Sequence, residues 1–222
     1  MRVLAAAKKT IAILFSDIKN FTSIAEEMDP DQLTHLICEY FDELSKIIIS
    51  NKGTIDKFIG DSIMAFWGAP LSEEKPCFHA AKSALISLHY LEILNAKWQS
   101  EGKPKLLTRF GIHIGEAIVG NIGSAERLNY TAVGDAINIA SRLENINKIY
   151  GTKIIVSEDV YQFIKDQFVL RMLDHVTLKG KAKVSYIYEL IAEDVNQIPY
   201  DIHAYSTQFS KGFAFYQKTR LE

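Results

Sequence analysis

The 222-residue chain is 48% hydrophobic, 23% charged and 11% aromatic, and its 25 basic and 27 acidic side chains leave a formal net charge of −2. A collagen-like, disordered or disulfide-built protein is thereby excluded, and the length suffices for one sizeable core without covalent staples. Near-neutrality offers no bulk attraction for nucleic acid or an anionic membrane, so any phosphate-bearing partner has to be held by a few placed groups.

Ile11 to Phe15 is a short continuous apolar run, the pattern of a strand buried on both faces, and it ends in Ser16-Asp17. Asp29-Pro30 is a helix start, an N-cap followed by a first-turn proline. Leu33, Leu36, Ile37, Tyr40, Phe41, Leu44, Ile47 and Ile48 then predict an amphipathic helix that Gly53 stops. Thr54 to Trp67 reads as a hairpin turning at Gly60-Asp61. A loop over 68–76 leads to a second helix from about Cys77 to Trp98. Leu106 to Ile122 is expected as two strands bent around Gly115, with Gly120 and Gly123 closing the segment. A third helix follows Gly134-Asp135 as far as Tyr150, with Gly151 as its stop. Ile154 to Val156, a short helix near Val160 to Ile164, and strands near 168–178 and 184–190 complete the pattern.

The order predicts an α+β fold with a βαββαβ ferredoxin-like or palm-like core plus additional strands and helices. Residues 1–9 form a lead-in, 10–191 the domain and 192–222 a C-terminal extension. Tyr205, Phe209, Phe213 and Tyr216 fall at helical spacing there, so an appended helix that packs on the domain or begins a further module is expected. Cys38 and Cys77 belong to no zinc-spaced cluster and read as buried or semi-buried thiols in a reducing compartment. The N-terminal apolar stretch is too short for a signal peptide, and no run approaches the ~20 apolar residues of a membrane span. The expectation is a cytoplasmic chain with no direct membrane contact, or the cytoplasmic portion of a larger membrane-bound receptor.

Two carboxylates stand at strand ends that such a core makes neighbours: Asp17 at the exit of the first strand and Asp61 in the hairpin turn. Close carboxylates repel unless a cation sits between them, and oxygen donors there suit Mg²⁺ bridging to a phosphate; both are equally ordinary turn residues. The passage Ile18-Lys19-Asn20-Phe21-Thr22 could cradle phosphates with successive N–H groups, although it carries no Walker-type signature. On the third helix Ala136, Ile139, Ala140, Leu143 and Ile146 form the core stripe, while Asn138 and Arg142 project together from the other side. That pair is either a solvated face or a reader of sugar and phosphate. Lys179-Gly180-Lys181 is a surface turn or a phosphate clamp, and spacing does not separate the two.

Taken together, five segments resemble the catalytic domain of class III adenylate/guanylate cyclases, in its bacterial adenylate cyclase form. They are Phe15-Ser-Asp-Ile-Lys-Asn-Phe-Thr22, Lys57 to Pro70, Gly111 to Gly123, Tyr130 to Arg142 and Leu178-Lys-Gly-Lys181, in order across about 10–190. The resemblance implies the nucleotidyl cyclase fold and conversion of ATP to 3′,5′-cyclic AMP and pyrophosphate by in-line attack of the ribose 3′-hydroxyl. Asp17, Asp61 and the carbonyl of Ile18 would hold two Mg²⁺ or Mn²⁺ ions, and the backbone from Ile18 through Asn20 and Phe21 to Thr22 would cradle the β- and γ-phosphates. Asn138 would orient the ribose, Arg142 would meet charge on the α-phosphoryl group, and Lys179 would hold the terminal phosphates.

Lys57 and Thr131 occupy the positions that face the purine edge in this family. An ammonium can donate to adenine N1 and a hydroxyl can accept from the N6 amino group, so the pair points to ATP. Many members carry aspartate where this chain has Thr131, and the lysine/threonine pair resembles a subgroup that includes bicarbonate-responsive enzymes. Glycine is common in the family at the position of Asn20, and asparagine tolerates left-handed backbone, so the cradle is expected to survive. The family's active site lies between two catalytic domains, and this chain has both residue sets. The resemblance therefore implies a head-to-tail, two-fold symmetric homodimer with two composite sites, no nucleic-acid partner, and an upstream sensor or membrane domain if the chain is a fragment. A guanylate cyclase is disfavoured by Lys57. A catalytically silent dimerisation or nucleotide-sensing module usually lacks a metal aspartate or the arginine, and this chain has both.

Overall fold

The computed structural model describes residues 5–177 and 184–198, together with residues 204, 207–209 and 211–212. The elements in chain order are β1 (Ala7–Ile18), α1 (Phe21–Glu27), α2 (Pro30–Ser50), β2 (Thr54–Ile59), β3 (Ser62–Trp67), α3 (Pro76–Ser100), β4 (Thr108–Gly123), β5 (Leu128–Val133), α4 (Asp135–Tyr150), β6 (Ile154–Ser157), α5 (Glu158–Ile164), β7 (Val169–Thr177) and β8 (Val184–Ala192). One eight-stranded sheet runs β2-β3-β1-β4-β6-β8-β7, with β5 paired to β4. Its first four strands have the order and antiparallel pairing of the ferredoxin-like core, built from two interleaved β-α-β crossovers. The β4–β6 pair is parallel, and the other pairs are antiparallel.

β1 lies between β3 and β4 in the interior of the sheet, which explains its unbroken apolar run. Alternation sends Ala12, Leu14 and Ile18 into one core with Leu36, Tyr40, Leu44 and Ile48 of α2 and Ala80, Ala81, Ala84 and Leu91 of α3. Ile11, Ile13 and Phe15 face the opposite core with Ala136 and Ala140 of α4. Asp29 caps α2 as its sequence implies, its side chain accepting from the N–H groups of Asp31 and Gln32 at 3.0 and 3.2 Å.

Three expectations change. Gly53 is expected to stop α2, but the helix ends at Ser50 and the left-handed residue that follows it is Lys52 (φ 66°). Gly53 instead admits a close approach, since a Cβ there would lie 2.5 Å from Ile48 and 2.8 Å from Trp67. The segment expected as two strands bent at Gly115 is one continuous strand, β4. Gly115 pairs in register with Ile11 of β1, and its missing side chain makes room for Ala136 of α4, whose Cβ a new methyl would meet at 2.9 Å. Its role is packing, not bending. Finally, Cys38 is exposed, whereas Cys77 is buried and burial pushes its thiol up to about 12.

In the C-terminal extension Ala204, residues 207–209 and residues 211–212 are helical. Phe209 packs beside Ile139, Leu143 and Leu173, and the Arg171 guanidinium lies 4.5 Å from its ring centre. Tyr205, Phe213 and Tyr216 lie outside the described residues. No helix among the described residues is long and apolar enough to cross a membrane.

α4 packs closely on the sheet at Gly111, where a Cβ would run into the backbone nitrogen of Glu144 and the carbonyl of Ala140. Neither contact can yield, because both belong to helix backbone. Gly111→Ala is therefore expected to lower the unfolding free energy by about 3 kcal/mol or more, read by urea denaturation. A loss below about 1 kcal/mol would mean that α4 is free to lift off the strand.

Candidate active site

Strand register assembles the polar end of the sheet. Ser16 pairs with Ile63 across β1 and β3, which sets Asp17 beside Ser62 and carries the β2–β3 turn to Ile18. On the other flank, Asp17 stands directly opposite Arg109 of β4. The Asp17 carboxylate accepts from Ser62 Oγ at 3.0 Å and from Arg109 Nη2 at 2.9 Å, and Asp61 accepts from the backbone N–H of Ile18 at 3.0 Å. Burial pushes the Asp61 carboxyl above its usual range; the Ile18 N–H opposes that, and the neighbouring Asp17 carboxylate adds to it. Arg109 is itself 9% exposed, and its Nε donates to Glu144 of α4 at 3.0 Å. Burial and the negative charge of Asp17 raise the Glu144 carboxyl, while Arg109 works in the opposite direction.

These groups open onto a cavity of about 910 Å³ whose lining includes Asp17, Ile18, Asp61, Arg109 and the start of α1. Asn20 adopts the left-handed conformation (φ 59°, ψ 30°) as the residue before α1, so asparagine meets the backbone demand that glycine would. The N–H groups of Ile18 and Lys19 are committed to Asp61 and to the carbonyl of Leu107. Backbone donors for an anion thus narrow to Asn20, Phe21 and Thr22, in the first turn where helical N–H groups lack intrahelical partners. Lys19, Lys148 and Lys153 also line the cavity and bring positive charge to its walls.

Among the described residues no three His, Cys, Asp or Glu side chains group as a metal site. The available donors are two adjacent carboxylates and strand-end backbone oxygen. Such a set fits a hard divalent cation that completes its shell with phosphate and water oxygens.

The remaining candidates stand elsewhere. Lys57 on β2 and Thr131 on β5 both reach Asp56: the Lys57 ammonium lies 3.3 Å from Asp56 Oδ1, and Thr131 Oγ1 lies 2.9 and 2.8 Å from its two oxygens. Asn138 is exposed and Arg142 half-buried, both on the side of α4 turned away from the sheet. None of these four lines the 910 Å³ cavity. Lys179 lies outside the described residues.

Periodicity and spacing do not point to Arg109, Glu144 or Asp56. Arg109 has one legible signal, a charged residue inside a run otherwise buried. Glu144 and Asp56 have none, since their roles depend on how α4 and β5 dock.

Residues 3–191 match the family described as "Adenylate and Guanylate cyclase catalytic domain". The chain is 41% identical over 187 residues to adenylate cyclase 1 of Rhizobium meliloti (strain 1021), covering 84% of this chain and 28% of that relative. It therefore spans less than a third of that relative's length. Among solved structures it resembles the adenylyl cyclase CyaB from P. aeruginosa at 33% identity and TM-score 0.80, covering 86% of this chain and 98% of that one. It also resembles the guanylyl cyclase Cya2 at 29% identity and TM-score 0.79, covering 88% and 97%.

Among the described residues Arg109 is the side chain that pairs with both Asp17 and the buried Glu144. Arg109→Met is expected to cost about 3 kcal/mol in unfolding free energy, because two carboxylates lose their partner at once. Glu144→Gln, which keeps the shape and leaves Arg109 on Asp17, should cost clearly less. Equal losses would show that the Asp17 contact contributes nothing.

Proposed function

The chain belongs to the adenylate and guanylate cyclase catalytic-domain family, and from that premise we propose that it converts ATP to 3′,5′-cyclic AMP and pyrophosphate at sites shared by two copies. The observation that carries this reading is a partition. One cavity gathers Asp17, Asp61 and the anion-binding turn, while Lys57, Thr131, Asn138 and Arg142 lie outside it. On this reading the two sets serve as half-sites, and a head-to-tail, two-fold pairing would join the halves of different copies.

In the reaction the ribose 3′-oxygen loses its proton and bonds to the α-phosphorus as the bond to the bridging oxygen of pyrophosphate breaks. No protein nucleophile enters. Asp17, Asp61 and the Ile18 carbonyl would hold Mg²⁺ or Mn²⁺, two per site, and when bound these ions would supply the charge that acidifies the 3′-hydroxyl and polarises the α-phosphate. The N–H groups of Asn20, Phe21 and Thr22 bind the β- and γ-phosphates, and Arg109 places a fixed cation on the same wall. From the other copy, Asn138 orients the ribose and Arg142 meets the charge that grows on the α-phosphoryl oxygens. Lys179 is assigned to the terminal phosphates.

Base choice rests on Lys57 and Thr131. The ammonium donates to adenine N1, and the hydroxyl accepts from the N6 amino group; guanine offers an N1–H and an O6 instead. Family membership alone leaves both nucleotides open, since relatives of both kinds match, and this pair favours ATP.

Purified protein supplied with ATP or GTP and Mg²⁺ or Mn²⁺ should release cyclic AMP as its main product; cyclic GMP, or no turnover at high protein concentration, would overturn the reading. Asp17→Asn and Arg142→Ala proteins, each inactive alone, should regain activity on mixing, since one composite site becomes intact. Heterodimers that form without turnover would refute the shared site.

A further inference from the structure

Asp56 sits where β2 departs from regular pairing. Ile55 pairs with Ala65 and Lys57 with Met64, so Asp56 is the extra residue of a β-bulge. A bulge re-aims one side chain, and here the carboxylate reaches Thr131 and Ala132 of β5. Its side chain is 1% exposed. There it accepts the backbone N–H of Ala132 at 3.0 Å and the hydroxyl of Thr131, and it lies 3.3 Å from the Lys57 ammonium.

A threonine hydroxyl has one proton and two lone pairs, and an ionised carboxylate can only accept. Asp56 therefore consumes the single proton of Thr131. Whatever meets Thr131 from the ligand side finds lone pairs alone. We infer that Asp56 is a positioning residue for nucleotide choice, fixing the Thr131 hydroxyl as an obligate acceptor and tethering Lys57 beside it as the donor. This rests on the reading of Lys57 and Thr131 as the purine-edge pair, and goes beyond it by naming what sets their polarity. An unconstrained hydroxyl could rotate and donate to guanine O6. The bulged carboxylate removes that option, so rejection of guanine comes from two acceptors forced to face each other.

Asp56→Asn tests the point with little change in shape. The amide oxygen can keep the Ala132 N–H, while the amide N–H can donate to Thr131 Oγ1 and free the threonine proton. The ratio of kcat/KM for ATP to that for GTP is expected to fall about tenfold, mainly through a lower KM for GTP. In a Thr131→Val background the same substitution should leave the ratio unmoved, because no hydroxyl remains to turn. A wild-type measurement needs no variant: inosine triphosphate, which carries O6 and N1–H without the 2-amino group, should be rejected as strongly as GTP. The inference is overturned if Asp56→Asn slows both nucleotides equally, if its effect persists without the Thr131 hydroxyl, or if inosine triphosphate is turned over like ATP. Failure of the wild type to make cyclic AMP at all would instead remove the underlying reading, and this inference with it.

Discussion

The closeness of α4 to β4 is the constraint on which the rest depends. Arg109 and Gly111 are two residues apart on one strand and so share a face. With no side chain at Gly111, the helix backbone settles against the strand there, and only then can Glu144 reach the Arg109 guanidinium. Arg109 in turn reaches across the β1–β4 ladder to Asp17. Two absent methyl groups, at Gly111 and Gly115, thus govern the electrostatics of a carboxylate on the neighbouring strand. The cost of burying Glu144 is offset by a charge partner that Asp17 also uses.

The functional groups divide between order along a strand and order across strands. Asp17, Asn20 and Asp61 sit at ends and turns, where the backbone alone decides position: β1 stops, Asn20 takes a left-handed conformation, and the hairpin reverses. Lys57, Asp56 and Thr131 meet only because β5 folds back along β4 while β2 bulges toward it. The first group needs only the sheet, and the second needs its irregularities.

The same division governs how much of the fold and the site is legible in the residues alone. The central strand, the α2 cap at Asp29, the Gly60-Asp61 turn and the core stripe of α4 rest on periodicity and local backbone chemistry, and each stands where expected. Gly115 misleads because a glycine within an apolar run signals a bend or a close approach equally well, and the helix that decides between them is about twenty residues further on. Gly53 misleads for the same reason. Asp56 is silent because alternation assumes an unbroken ladder, and a bulge breaks alternation at the very residue it re-aims. The short helix α1 carries too little periodicity in its seven residues to mark a face.

α4 has a further consequence as a mechanical part. It spans 16 residues, about 24 Å at a helical rise of ~1.5 Å per residue. Its sheet-facing side is clamped by Glu144 to Arg109, and so to the carboxylate pair; its far side carries Asn138 and Arg142. The helix is a rigid crossbar between the carboxylate pair and the face that carries Asn138 and Arg142. A push that slides or tilts it cannot retune the guanidinium face without straining the ion pair beneath Asp17, so in the proposed shared-site dimer a signal arriving at this helix would be felt in two composite sites at once.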